Sequence, residues 1–160
     1  MDALFVATHS ESEIAAALEL WPELAAKRIR PLLVTAFGDI FVEAIDGEVT
    51  VIDPLELSCD LVAASVSEFH SLFRDPEWAA ERLLTQLLYL ANERGITRQP
   101  GQVFSIAPHP CFTGNVLVEH LLPMALVPWH HICAQLRTGQ PTAGELAVAA
   151  GFGPPRFRLA

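Results

Sequence analysis

The Asp46-Gly47 dipeptide, which lies between two alternating segments at residues 39–45 and 48–53, constrains the fold more than any other feature of the chain. Asp-Gly is typical of the two-residue type I′ turn of β-hairpins, because both central residues of that turn need a positive φ. A two-residue turn fixes the register, so that Val42 faces Val51. Alternate apolar side chains then share one face: Val42, Ala44, Val49 and Val51. The sequence therefore predicts an antiparallel hairpin with one apolar and one polar face.

Capping residues mark the starts of three helices. Ser10 and Glu13 form a capping box before a helix over residues 11–20. Ser65 and Glu68 form a second one before an apolar run. The third start is the segment Asp75-Pro76-Glu77, in which Asp is the N-cap and Pro occupies the first turn.

This third helix is predicted to be the longest, over residues 76–94, with Gly95 as its stop. About 18 residues give a helix of about 27 Å. Its apolar residues recur at helical spacing: Leu84, Leu87, Leu88 and Ala91. We expect this helix to be the main cover of the sheet.

Further strands are predicted at residues 57–63, 102–107 and 115–122, whereas residues 124–137 fit either a helix or a strand. Together with the hairpin, these segments indicate an α+β fold: a mostly antiparallel sheet of five or six strands with helices packed on one face.

The length of 160 residues suits one domain with its own core. We expect an N-terminal helical segment at residues 1–30, an α+β domain at 31–140 and a loosely ordered tail at 141–160. The start of the chain lacks the basic lead-in of a secretory signal, and prolines interrupt its uncharged stretches. Three widely spaced cysteines suit a reducing compartment better than a disulfide framework. The chain is therefore expected to be cytoplasmic and not membrane-bound.

The net charge of −9 is unevenly distributed. Residues 1–81 contain 16 acidic and 4 basic residues, giving −12, whereas residues 82–160 contain 3 and 6, giving +3. An acidic half repels nucleic-acid phosphates and can attract a basic partner. The alternative is that the acidic residues only keep an apolar chain soluble, since 51% of its residues are hydrophobic.

The order of several motifs resembles the C-terminal domain of type VI secretion immunity proteins. The resemblance covers roughly residues 31–138, and five short segments carry it: Phe37-Gly38-Asp39, Asp46-Gly47, Ser67-Glu68-Phe69, Gly101-Gln102 and Pro108 to Gly114. The chain departs from the pattern at Thr113-Gly114, where a Gly-Gly pair is expected. It also has only about 30 residues before the matched region, which is too few for the additional N-terminal domain that such proteins often carry.

The resemblance implies an intracellular protein that binds and neutralises a cognate toxin, often a nuclease. Because the sequence carries no catalytic signature, we expect it to be non-catalytic, without cofactor or metal. The charge distribution suggests that an acidic surface on the hairpin makes the contact. The candidate contacts are the carboxylates of the hairpin and of the strand that follows it: Asp39, Glu43, Asp46, Glu48, Asp53 and Asp60.

Two other functional hypotheses remain open. The first is a zinc or thiol site built from a group of histidines and cysteines: His109, Cys111, His130, His131 and Cys133. Zinc needs four such donors, and the H-x-C spacing is unlike the usual paired motifs. A nucleophilic Cys111 with His120 or His130 as its base belongs to the same reading. The second is a scaffold subunit that has no toxin partner.

Overall fold

The α+β fold predicted from the sequence is confirmed by a computed structural model, which describes residues 2–139 and the backbone of residues 158–159. A four-stranded antiparallel sheet has the order β1-β2-β3-β4, so neighbours along the chain are neighbours in the sheet. Its strands are β1 (Ile29–Val34), β2 (Ile40–Ala44), β3 (Val49–Asp53) and β4 (Ser58–Ala63).

The hairpin of β2 and β3 forms as predicted, but its register is shifted by one residue. The amide of Ala44 donates to Glu48 O at 2.9 Å, so the loop has three residues and ends at Gly47, whose φ is +88°. Val42 therefore pairs with Thr50, not with Val51. Asp-Gly serves a three-residue loop as well as a two-residue one, because either needs a positive φ at the glycine.

The shifted register leaves both faces of the hairpin apolar. One face carries Phe41, Val49 and Val51, which pack against α2 (Val66–Arg74) and α3 (Pro76–Leu83). The opposite face carries Ile40, Val42 and Ile52, which belong to the larger core. Helices α2 and α3 thus cover one face of the sheet, and the sheet itself separates two apolar clusters.

The helix predicted over residues 76–94 is interrupted at Leu84, which has a φ of +51°. It is two helices, α3 and α4 (Thr85–Glu93). Both predicted boundaries are confirmed, since Asp75 accepts from the amides of Glu77 and Trp78 and Gly95 has a φ of +69°. The break turns α4 into the larger core, where Leu87, Leu88 and Ala91 are buried.

The second half contains a separate antiparallel pair, β5 (Gln102–Ile106) with β7 (Leu121–Ala125), so the strands do not form a single sheet. The predicted strand at residues 115–122 is divided into β6 (Asn115–Val116), a 3-10 helix (Val118–His120) and the start of β7. The ambiguous segment is helical, as α6 (Leu126–Thr138), and a short α5 (Pro110–Thr113) follows β5. Residues 158–159 form β8 (Arg158–Leu159), which pairs in parallel with β6.

The N-terminal segment shares the larger core with the rest of the described chain. Its α1 (Glu11–Leu18) has the predicted capping box at Ser10, and a 3-10 helix (Pro22–Leu24) follows. Trp21 is fully buried in that core. The boundary expected at residue 30 falls inside β1, and the tail expected at residues 141–160 lies outside the described residues except for β8. None of the helices in the described ranges combines the length and the apolar character that crossing a bilayer requires.

Candidate functional site

A group of three charged side chains lies between the sheet and α3, and two of them are predicted contact residues. Asp39 and Asp53 are only 5% and 7% exposed. Arg82, on α3, donates from Nη2 to Asp53 Oδ2 at 2.9 Å, and the same nitrogen lies 3.5 Å from Asp39 Oδ1. One guanidinium is therefore shared by two buried carboxylates.

Local hydrogen bonds fix both carboxylates. The hydroxyl of Thr35 donates to Asp39 Oδ2 at 2.9 Å, across the turn that contains Phe37 and Gly38. Asp53 Oδ1 accepts from the amides of Leu55 and Glu56, at 2.9 and 3.0 Å, in the turn after β3. Each aspartate thus closes a turn at the same end of the sheet, which explains why these residue types occupy these positions.

The electrostatics of this group favour a proton on Asp39. Burial, followed by repulsion from Asp53, raises the pKa of Asp39 to about 7, although Arg82 opposes the shift. Burial acts against the charge of Arg82, but the two aspartates outweigh it and raise the pKa of the guanidinium. The buried group therefore carries more negative than positive charge once Asp39 is ionised.

The three side chains line a cleft of about 510 Å³, whose mouth carries two further acidic residues, Glu56 and Glu81. Burial and the nearby charge of Asp53 raise the pKa of Glu56 to about 7. Trp78 also lines the cleft, and its ring centroid lies 4.9 Å from that of Phe73 in an edge-to-face contact. Leu84, whose backbone is in the left-handed region, also lines the cleft.

One buried polar atom of this group has no hydrogen-bond partner among the described residues, and a second has only a long ion-pair contact. The Nε of Arg82 is buried and has no acceptor there. Asp39 Oδ1 belongs to a side chain that is 6% exposed, and its nearest cationic neighbour is the Arg82 nitrogen at 3.5 Å. Buried polar atoms are normally paired, so the unpaired Nε of Arg82 is unusual.

The burial of Asp39 and Asp53 corrects the predicted contact surface. Both carboxylates are turned between the sheet and α3, so neither is displayed on the outside of the hairpin. The prediction treated the polar residues of the hairpin as one exposed face. It was wrong for these two, because the structure covers both faces of the sheet.

The other four predicted contact residues are exposed or half-buried. Glu43 accepts from Arg30 Nε at 2.8 Å across β1 and β2. Asp46 accepts from the amide of Glu48 at 3.1 Å, which stabilises the hairpin loop. Asp60 accepts from the hydroxyl of Ser58 at 2.5 Å on the edge strand β4. Glu48 is exposed next to the loop.

Two apolar side chains are exposed in the same part of the sheet. Ile45, in the hairpin loop, is 80% exposed, and Leu61, on β4, is 62% exposed. Leu61 pairs with Thr50 of β3, close to the hairpin end of the sheet. Acidic and exposed apolar residues therefore occur together in the loop and on β4, although the adjacent Asp60 and Leu61 lie on opposite faces of the sheet.

Two histidines and both cysteines of the zinc or thiol hypothesis are buried: His109, His130, Cys111 and Cys133. His130 Nδ1 accepts from Trp21 Nε1 at 3.0 Å, so its Nε2 carries the proton and donates to Gly38 O at 2.7 Å. His109 is engaged in the same way, since Nδ1 accepts from the amide of Cys111 and Nε2 donates to Pro54 O. Both rings use both nitrogens, which leaves them no lone pair for a metal.

The thiols are also unsuited to nucleophilic attack. Burial raises the pKa of Cys111 to about 11 and raises that of Cys133 as well, which keeps both protonated at neutral pH. His131 is exposed, and its Nε2 is hydrogen-bonded to Nε2 of Gln135. Among residues 2–139, no three His, Cys, Asp or Glu side chains are grouped in a way that could hold a metal ion.

Sequence reasoning missed Arg82, Trp78, Glu56 and Glu81. One signal could have drawn attention to α3: Trp78 and Arg82 are four residues apart, so they occupy one face of a helix that begins at a clear cap. The partner carboxylates are 29 and more positions away, and no local pattern reports such a contact.

The chain matches no protein-family model, and no curated protein is similar to it by sequence. The resemblance to immunity proteins therefore depends on the short motifs alone.

Proposed function

We propose that this chain is a non-catalytic cytoplasmic binding protein, similar in role to a type VI secretion immunity protein. In this proposal it neutralises a cognate toxin, such as a nuclease, by covering a basic surface of that toxin. The observation that carries the proposal is the position of Glu43, Asp46, Glu48 and Asp60, which lie on the hairpin and the adjacent edge strand, where two apolar side chains, Ile45 and Leu61, are also exposed.

The uneven charge distribution of the chain supports the proposal that its partner is basic. Residues 1–81 carry a net charge of −12, and the hairpin and β4 belong to that half. Proteins that act on nucleic acids present basic surfaces to the phosphates, so a nuclease offers the complementary charge. Opposite potentials raise association rates and suppress wrong partners, even where the net affinity gain is small.

The exposed apolar residues support a protein partner more than a small ion. Stable interfaces combine a desolvated apolar centre with a polar rim. Ile45 lies in a loop that is closed by backbone hydrogen bonds, and Leu61 is on the edge strand. A rigid loop loses little conformational entropy on binding, which favours its use as an anchor.

The core roles of the histidines and cysteines favour the binding protein over the metal or thiol alternative. The rings of His109 and His130 are engaged with backbone and tryptophan groups, and the pKa of the Cys111 thiol is raised. An activated nucleophile needs a lowered pKa and a free base beside it.

The proposal is tested by capture from the native host with matched baits. The wild-type protein, Glu48→Lys and Glu93→Lys are each immobilised, and proteins that bind are identified by mass spectrometry. Glu48 is exposed beside the hairpin loop, whereas Glu93 is exposed on α4, so the two variants change the net charge equally. We expect a basic protein to be retained by the wild type and Glu93→Lys but not by Glu48→Lys.

The captured protein is then purified, and its activity is measured with and without each variant. Inhibition by the wild type and by Glu93→Lys, but not by Glu48→Lys, is the expected result. Equal inhibition by all three would contradict the contact surface, and a captured protein that is acidic or is not inhibited would contradict the proposed role.

A further inference from the structure

We propose that a second cavity, between the N-terminal segment and the loop after α4, binds a small organic carboxylate that has an apolar chain. Its volume of about 410 Å³ lies in the range of small-molecule sites. The cavity shares no lining residue with the acidic cleft, and none of the predicted contact residues lines it. The inference is therefore independent of the proposed function, and its failure would leave the hairpin surface untouched.

A single charged side chain lines this cavity among the described residues, and it is the cation Arg98. The chain as a whole has a net charge of −9, so a cavity lined by a cation and by no described acid is a local exception. Arg98 also forms no ion pair with a carboxylate among residues 2–139. The charge of the lining therefore favours an anionic ligand.

The environment of Arg98 shows that its charge lacks compensation among the described residues. Burial lowers the pKa of the guanidinium, and no carboxylate there offsets that effect. Arg82 is the contrast, because its two aspartates raise the pKa of its guanidinium despite burial. Arginine has an ordinary pKa above about 12, so Arg98 keeps its charge at neutral pH. An anion in the cavity would supply the counter-charge in a partly buried place, where an ion pair is worth more than at the open surface.

Backbone carbonyls hold the guanidinium in place. Arg98 Nη2 donates to the carbonyl oxygens of Ala3 and Val6, at 2.7 and 2.6 Å, with a longer contact of 3.4 Å to that of Leu4. Its Nη1 donates to Gln102 O at 3.1 Å. A guanidinium has five N–H groups, and these contacts come from the two terminal nitrogens, so Nε–H has no acceptor among the described residues. The cation is thus fixed before a ligand arrives, which lowers the entropic cost of binding.

The rest of the lining suits an apolar chain. Leu88 of α4 and Phe104 of β5 are 0% and 3% exposed, so this part of the wall belongs to the larger core. Three half-buried apolar side chains add to it: Leu4, Val6 and Ile96. A simple anion would use the charge of Arg98 but leave these side chains uncovered. A carboxylate with a hydrocarbon chain matches both parts of the cavity.

The test uses octanoate as the probe, with 1-octanol as its neutral analogue, octylammonium as its cationic analogue and acetate as the head group without the chain. Binding to the full chain is followed by two-dimensional NMR. We expect octanoate to shift the backbone amides of residues 96–101 and to bind about tenfold more tightly, or better, than each of the other three, because it alone has both the negative charge and the chain. Octanol or acetate that binds as tightly as octanoate, or octanoate shifts confined to other residues, would overturn the site.

One variant removes the charge. Arg98→Gln is expected to weaken octanoate binding by about tenfold or more, since the counter-charge is lost. Arg94→Gln, which removes an exposed cation from the end of α4, is the control and should bind as the wild type does. Equal affinities of the two variants would contradict the role of Arg98.

A second variant tests the cavity without replacing Arg98, which also holds the N-terminal segment. Thr97 lines the cavity, so Thr97→Trp places a large ring there and should reduce octanoate affinity by about tenfold or more. Thr138→Trp, at an exposed threonine on α6, is the matched control. Wild-type affinity in Thr97→Trp, or equal losses in the two tryptophan variants, would place octanoate outside this cavity.

Discussion

His130 on α6 donates from Nε2 to the carbonyl oxygen of Gly38 at 2.7 Å, and thereby connects the core to the turn that presents Asp39. The neighbouring Trp129 donates from Nε1 to Phe37 O at 3.0 Å. Two side chains of one helix thus fix two consecutive carbonyls, one residue before the acidic group. The position of the candidate site depends on this distant helix as well as on the sheet.

Replacement of His130 tests that connection. His130→Ala leaves Trp21 Nε1 and Gly38 O unpaired in the core, so we expect a loss of about 3 to 5 kcal/mol of unfolding free energy. The exposed neighbour His131 is the control, and His131→Ala should cost less than about 1 kcal/mol. Urea denaturation of both variants measures the difference. Equal small losses would show that the His130 contacts contribute little.

Position 38 requires a glycine because of its backbone conformation and because there is little space for a side chain. Its φ is +86°, and a Cβ there would lie 3.0 Å from Trp129 Cδ1. We expect Gly38→Ala to destabilise the fold by roughly 2 to 4 kcal/mol, from strain and from overpacking. Gly47→Ala is the matched control, since its φ is +88° but no atom lies within 4 Å. It should cost about 1 kcal/mol, and thermal unfolding that ranks the two equally would exclude the clash.

Arg82 compensates two buried carboxylates. Arg82→Met preserves much of the side-chain volume but removes the charge, so a loss of roughly 3 to 5 kcal/mol is expected. Arg94→Met, which breaks an exposed pair with Glu119, should cost less than about 1 kcal/mol. Guanidinium chloride would screen these charges, and urea denaturation is therefore the suitable measurement. A neutral Arg82→Met would show that the ion pairs do not stabilise the fold.

The pH dependence of stability follows from the raised pKa of Asp39. Its ordinary value of 3.8 rises to about 7 in the folded chain. The folded state therefore binds the proton more tightly, and the resulting stabilisation is complete below about pH 4 and is lost as pH rises through about 7. Asp39→Asn mimics the protonated form, so the variant should gain stability relative to the wild type between pH 5 and pH 8.

This comparison must be made as a difference between the two proteins. Burial lowers the pKa of His130 to about 4. The resulting stabilisation of the fold is complete above about pH 6.5 and is lost as the pH falls, which is opposite to the effect of Asp39. Since His130 is present in both proteins, its effect cancels in the difference. A difference that is flat from pH 5 to pH 8 would contradict the raised pKa of Asp39.

Local signals in the sequence predicted most of the secondary structure. The caps at Ser10, Ser65 and Asp75 and the stop at Gly95 are confirmed, because each depends on residues within one turn. The hairpin is also confirmed, but not its register. Alternation cannot fix a register when both faces are buried, and Asp-Gly fits two loop lengths.

Non-local features could not be predicted in this way. The leucine pattern runs without interruption through Leu84, so it gives no sign that the helix breaks there. Nor does any local pattern indicate that Arg82 pairs with Asp39 and Asp53, which come from the distant hairpin. The same carboxylates consequently looked like surface residues in the sequence, and the cleft was not foreseen.

The most direct test of the proposed function is the association rate of the captured partner, measured by stopped-flow fluorescence at several salt concentrations. An acidic surface that steers a basic partner predicts a rate that falls steeply as salt rises, a weaker salt dependence for Glu48→Lys, and wild-type behaviour for Glu93→Lys. A rate that is independent of salt, or equally affected by the two variants, would contradict recognition through the hairpin.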